Sequence, residues 1–212
     1  MKELEFLSDE VLSLMELRED VLFNKIPKED VKYYIDEANR IGKSSAEVFK
    51  NSNLEEILKA KCIDVIIKES CEVRKLSLRG EIIFEDDNKK IIIYKDSIDQ
   101  IYEVLKEYNF SLEEQDVYNM HLAHEFYHYL EYKNKAYTND MLNKITVFSI
   151  GPLKRKATIL KTRELAAHSF CKSILGLEFH PKLFDYMYLL KNNTISLEEL
   201  KSYAENLSKE YL

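Results

Sequence analysis

Glycine and proline are scarce in this chain of 212 residues, with four Gly, three Pro and no Trp at all. So few turn formers argue against a many-turned β-sandwich and favour helices. Cysteine is nearly missing too. Cys62, Cys71 and Cys171 are odd in number and form no Cys-x-x-Cys pair, so free thiols in a reducing compartment are the simplest account. No apolar run reaches the ~18 residues that a membrane span requires. The opening stretch Met-Lys-Glu-Leu-Glu-Phe-Leu-Ser-Asp-Glu is acidic and lacks the apolar centre of a signal peptide. Basic charge is in deficit, 31 Lys and Arg against 38 Asp and Glu, and a net −7 gives no general attraction to nucleic acid or anionic membrane. The expectation is a cytoplasmic protein that binds neither.

What the chain does hold is a 45% hydrophobic content with 14 Tyr and 10 Phe, enough for a substantial core. Its length suits one domain, or one domain with a small appendage. Near the middle stands His124-Glu125-Phe126-Tyr127-His128. On an α-helix, residues four apart project from one face, so His124 and His128 can close on a single zinc ion without backbone strain. Glu125 lies on the same side but reaches the ion less easily, which suits a base acting on metal-bound water. His121 and Tyr132 extend that polar face, while Leu122, Phe126, Tyr129 and Leu130 fill the back. Glu125-x-x-His128 is also the half-motif of di-iron bundles. That architecture needs a second copy, and no other histidine has Glu three residues before it. Zinc is therefore the favoured ion.

A catalytic zinc site needs a third protein ligand from a separate element. Glu164 is the best candidate, because on a helix it falls in a stripe with Leu160, Ala167, Cys171 and Leu175, where an unpaired carboxylate is costly. Small Ala167 and Cys171 would let the two helices approach closely. The bland alternative is a Glu at the stripe's edge, paired with Lys161 or Arg163. His168 faces the same way as Glu164 and is its competitor. Cys171 is expected to be an inert buried thiol, and the basic run Lys154-Arg155-Lys156 with Lys161 and Arg163 a solvated helix face.

The whole reads as α+β: a mostly helical domain, with a small sheet before the motif helix. Ser8 caps a helix from Asp9 toward Phe23; Pro27 opens a second, with Gly42 as its stop. Residues 1–51 carry more acidic than basic side chains and are expected to pack as a helical segment on a main domain of residues 52–212. Asn53–Glu56 caps a short helix to Lys61, and Cys62–Ile67 forms a strand. Gly80–Phe84 and Lys90–Tyr94 make a hairpin. Asp96 or Ser97 caps a helix to Tyr108. A capping box at Ser111–Glu114 starts the motif helix near Leu112, and it runs to Lys133 with Asn134 as its cap. Residues 135–152 read as a long connection, Lys154–Leu175 as a helix stopped by Gly176, and Pro181–Lys191 and the box at Ser196–Glu199 as closing helices.

The pairing of His124-Glu-Phe-Tyr-His128 with Glu164-x-x-Ala167-x-x-Phe170 resembles the ImmA/IrrE-type zinc metallopeptidases of bacteria and phages, over roughly residues 53–176. That family combines His-Glu-x-x-His with a downstream Glu-x-x-Ala-x-x-Phe-Ala, after a helix, a strand and a hairpin. The resemblance implies a zincin-like domain in which His124, His128 and Glu164 hold zinc and Glu125 is the catalytic base. Tyr127 stands where the family often has Gly, and Cys171 where it often has Ala. The implied activity is hydrolysis of a peptide bond in a protein or peptide substrate, with regulators such as repressors among the candidates. His121, Tyr132, Tyr137 and His168 are the candidates for a donor to the oxyanion or a group beside the ion. Strand Ile91–Tyr94 could pair with an extended substrate if it lies at the sheet's edge. Two rival expectations stand beside this one: a zinc-stabilised, partner-binding regulator with weak or no activity, and a helical protein without metal.

Overall fold

The computed structural model describes all residues except 1, 51, 71–79 and 86–87, so Cys71 and the tip of the expected hairpin lie outside the described residues. The fold is α+β. Ser8 does cap the first helix, its Oγ accepting from the Val11 amide at 3.3 Å, but α1 ends early and spans Asp9–Arg18. The cause lies in Asp20, whose carboxylate accepts from the Leu22 and Lys161 amides and bends the chain away from the helix. Next, α2 (Lys28–Glu47) runs straight through Gly42, which is no stop. An added Cβ there would overlap the carbonyl oxygen of Ala166, so the glycine serves a close approach between two helices.

Asn53 caps α3 (Leu54–Ala60), accepting from the Glu55 and Glu56 amides. Strands β1 (Ile63–Lys68), β2 (Gly80–Glu85) and β3 (Asn88–Tyr94) form a mixed sheet in the order β1-β3-β2, with β1 parallel and β2 antiparallel to β3. Ile91–Tyr94 therefore lies in the centre and is buried, and among the described residues the outer strands are β1 and β2. The next helix, α4 (Lys95–Glu107), grows directly out of β3 with Tyr94 at its cap position. Asp96 and Ser97 sit inside its first turn instead, where the Asp96 amide is taken by the Glu69 carbonyl at 3.1 Å.

The motif helix α5 spans Glu114–Asn134. Its capping box is Glu113 with Asp116, two residues beyond the expected one, and Lys135 closes it with φ 49° where Asn134 was expected. Residues 135–157 are no plain connection. They form α6 (Thr138–Met141) and a second sheet, β4 (Ile145–Ile150) antiparallel to β5 (Leu153–Ala157), turning at Gly151-Pro152 with Gly151 at φ 55°. Lys154–Lys156 consequently lie on a strand, and α7 begins only at Thr162, ending at Leu175 with Gly176 in the left-handed region. Helices α8 (Leu183–Lys191) and α9 (Leu197–Tyr211) close the chain, the latter on the Ser196–Glu199 box.

A single hydrophobic core reaches from Leu4 to Leu207, so α1 and α2 share it with the elements that follow residue 51. Helix α5 lies on β2 and β3 with one face and against α7 with another, and α7 in turn packs along α2. Phe126 is fully buried at this crossing, in ring contact with Phe49, Tyr129 and Phe170. Among the described residues, no helix is long and apolar enough to cross a membrane.

Candidate metal centre

Helix α5 turns Leu122, Phe126 and Tyr129 into the core and leaves His124 and His128 facing a cavity of about 530 Å³. The first turn of α7 brings in Glu164 from across the helix pair. Small side chains set that approach, as the sequence implied: Ala167 and Cys171 are buried at the contact, and the Cys171 thiol donates to the Met120 carbonyl at 3.4 Å. Leu160 is not part of the stripe, because it precedes the helix and is 60% exposed.

The three expected donors converge. The two Nε2 atoms lie 3.2 Å apart, Glu164 Oε2 is 3.2 Å from His124 Nε2, and Glu164 Oε1 is 3.5 Å from His128 Nε2. Ligands at ~2.0–2.1 Å from a tetrahedral zinc stand about 3.3–3.4 Å apart, so the triangle has the size such an ion requires. Two imidazole nitrogens and one carboxylate are also a donor set that zinc takes, leaving one position open.

Electrostatics point the same way. Burial acts to lower the His128 pKa, yet carboxylates on both its nitrogens, Glu131 and Glu164, overcome this and push it up to about 10. Burial acts to raise Glu164, and the hydrogen bonds and charges of His124 and His128 outweigh it, holding the carboxyl well below its ordinary range. This cluster gathers positive charge where the three donors meet, and a bound cation satisfies the same demand.

No family model, curated protein or solved structure matches the chain.

Glu125 lines the same cavity. Burial raises its carboxyl pKa, against the pull of His124 and His128 and with the help of Glu164 and Glu81. It is pressed against the start of β2: a Cβ on Gly80 would lie 2.9 Å from Glu125 Cγ and 3.2 Å from its Oε1. A side chain there would have to displace that of Glu125. Gly80, Glu81 and Ile82 thus form one wall of the cavity, while Glu16, Glu19, Lys161 and Lys182 form another. The Lys161 ammonium donates to Glu16 at 2.7 Å and to Glu19 at 2.8 Å, which brings α1 to the rim.

The four further candidates divide. His121 and His168 line the cavity, whereas Tyr132 and Tyr137 do not. The ring of Tyr132 stacks on Phe84 at 3.6 Å, and Tyr137 lies under the Arg163 guanidinium at 5.0 Å. His121 donates from Nδ1 to the Val117 carbonyl at 2.7 Å. His168 sits beside His124, ring centroids 5.0 Å apart, and burial first, then the neighbouring His124, His180 and Lys182, hold its pKa well below the ordinary value. Burial likewise pushes the Cys171 thiol up, so it is inert. Lys161 and Arg163 are engaged in ion pairs, so the expected solvated face reduces to the strand residues Lys154–Lys156, which are exposed.

Sequence reasoning missed Glu131 and Thr138. Glu131 is buried, accepting from His128 Nδ1 at 3.0 Å, Arg163 Nε at 2.9 Å, and the Thr138 amide and hydroxyl at 2.8 Å each. Its i+3 spacing from His128 was the available signal.

Proposed function

We propose that this chain is a zinc-dependent metallopeptidase of the ImmA/IrrE type, hydrolysing a peptide bond in a protein substrate in the cytoplasm. The single observation that carries the reading is the triangle of His124, His128 and Glu164 with donor separations of 3.2–3.5 Å, beside a buried Glu125. Zinc, when bound, supplies a Lewis acid that polarises the carbonyl under attack.

The chain's own residues do the rest. Glu125 takes the proton from the attacking water and passes it to the leaving amine, a task suited to a carboxylate whose proton affinity is raised by burial. Gly80–Ile82 belong to β2, an outer strand of its sheet among the described residues, whose main-chain groups an extended peptide could pair with. His168 lines the cavity beside His124, ring centroids 5.0 Å apart, and is the imidazole offered as donor to the carbonyl oxygen, since His121 already gives its Nδ1 proton to the Val117 carbonyl.

The test is Glu125→Gln, assayed with wild type on a proteome-derived peptide library by mass spectrometry, with zinc content measured in both. Cleavage by wild type alone, at equal zinc content, supports the peptidase. Cleavage by both alike removes Glu125 from the mechanism. No cleavage by either, with zinc retained, favours the zinc-stabilised regulator.

A further inference from the structure

Glu131 is turned toward both halves of the site. One of its oxygens, Oε1, accepts from the Thr138 amide and hydroxyl at the start of α6. That oxygen alone would account for a buried acid capping a short helix. The other oxygen does something else. Oε2 accepts from His128 Nδ1 and from Arg163 Nε, 3.0 and 2.9 Å away, and Arg163 is the residue immediately before Glu164.

The Thr138 hydroxyl, having given its proton to Glu131, can only accept from Tyr127, whose O–H lies 2.6 Å away. Tyr127, one of the two residues that depart from the family pattern, ends this chain of hydrogen bonds. All four acceptor directions of the carboxylate are thereby filled from α5, α6 and α7.

From this geometry we infer that Glu131 is a positioning residue for the metal ligands: it keeps the proton of His128 on Nδ1 and, through Arg163, ties the first turn of α7 so that Glu164 meets the two histidines. The chemistry is direct. An ionised carboxylate only accepts, so the facing nitrogen must carry hydrogen, and Nε2 is left with its lone pair for a metal. A free imidazole has no such preference imposed on it. Because Arg163 and Glu164 are consecutive, the same carboxylate that aims one ligand also anchors the backbone bearing another. The inference rests on the zinc reading above.

The experiment compares wild type and Glu131→Gln by zinc affinity against a competing chelator, by apo-protein melting temperature, and by ring 1H–15N spectra of the zinc-loaded proteins. Loss of such a partner typically lowers metal affinity about 10–100-fold, and that loss is expected here. In wild type the His128 Nδ1–H is expected as a sharp, slowly exchanging resonance, which broadens or moves in the variant. A purely structural Glu131 would lower the apo melting temperature and leave the affinity and that resonance unchanged, which overturns the inference. Should Glu131→Gln fail to fold, Arg163→Met carries the test, since its side chain is 32% exposed and the Glu131 carboxylate keeps its Thr138 and His128 partners. About a tenfold loss of affinity is expected, and unchanged affinity overturns the inference. A wild-type chain that binds no zinc removes the zinc reading and this inference together. Zinc bound equally by wild type and variant removes this inference alone.

Discussion

Gly42→Ala sets two effects of known size against each other. In an exposed helix interior, replacing Gly with Ala gains about 1 kcal/mol from propensity and backbone entropy. At Gly42 the added methyl would overlap the Ala166 carbonyl oxygen and lie 2.9 and 3.0 Å from the Ala166 carbonyl carbon and Cα. Those are backbone atoms inside α7, so no rotamer can relieve the overlap. The two helices must separate along their most extensive contact, and overpacking of this kind costs roughly 1–3 kcal/mol, or more where backbone must move. The clash should win, with a net destabilisation of about 2 kcal/mol. For a chain of this size that is a fall of roughly 4–8 °C in melting temperature. Because Ala166 is two residues from Glu164, the same displacement should weaken zinc binding. Thermal melts with and without zinc read both effects. A Gly42→Ala protein that melts at or above wild type, with equal zinc affinity, refutes the close-approach argument.

Added zinc should raise the melting temperature of wild type and not that of His128→Ala, since binding to the folded state alone stabilises by mass action. The apo variant should still fold, because the core extends from Leu4 to Leu207, far beyond the site, and its far-UV spectrum checks this. Acid should weaken the metal-free protein through His180, whose pKa burial lowers to about 4 from 6.5. Its Nδ1 accepts from the Lys182 amide at 3.1 Å, leaving no place for a second proton. Between those two pH values the unfolded chain binds more protons than the folded one, so stability is complete above pH 6.5 and falls as pH drops toward 4. The loss is roughly 3 kcal/mol. Urea midpoints across that window should fall less steeply in His180→Leu, and identical slopes would contradict the assignment.

Local signals in the sequence carried the centre of the site. Two histidines four apart share a helix face whatever surrounds them, and Ser8, Asn53 and Ser196 cap their helices through neighbouring atoms only. Glu164 was legible because it repeats at helical spacing with Ala167 and Cys171. What escaped depended on distant partners. Gly42 looked like a helix stop because a glycine's local meaning is the same whether the chain turns there or another helix comes close. Glu131 looked like one more acid on a polar helix, since Thr138 and Arg163 reach it only once α6 and α7 are in place. Strand β5 escaped because Lys-Arg-Lys between Leu153 and Ala157 suits a helix face as well as an exposed strand. Its partner Ile145–Ile150, rich in β-branched residues, held the readable signal for that hairpin.

Zinc retention by Glu164→Ala and His168→Ala, measured side by side with a competing chelator, tests the central claim most directly. Both side chains face the cavity, but only Glu164 approaches both histidine nitrogens, at 3.2 and 3.5 Å. Wild type should hold one zinc per chain, His168→Ala should keep it with modest weakening, and Glu164→Ala should lose it at the same chelator concentration. Loss of zinc from His168→Ala with full retention by Glu164→Ala contradicts the ligand set and the metallopeptidase built on it.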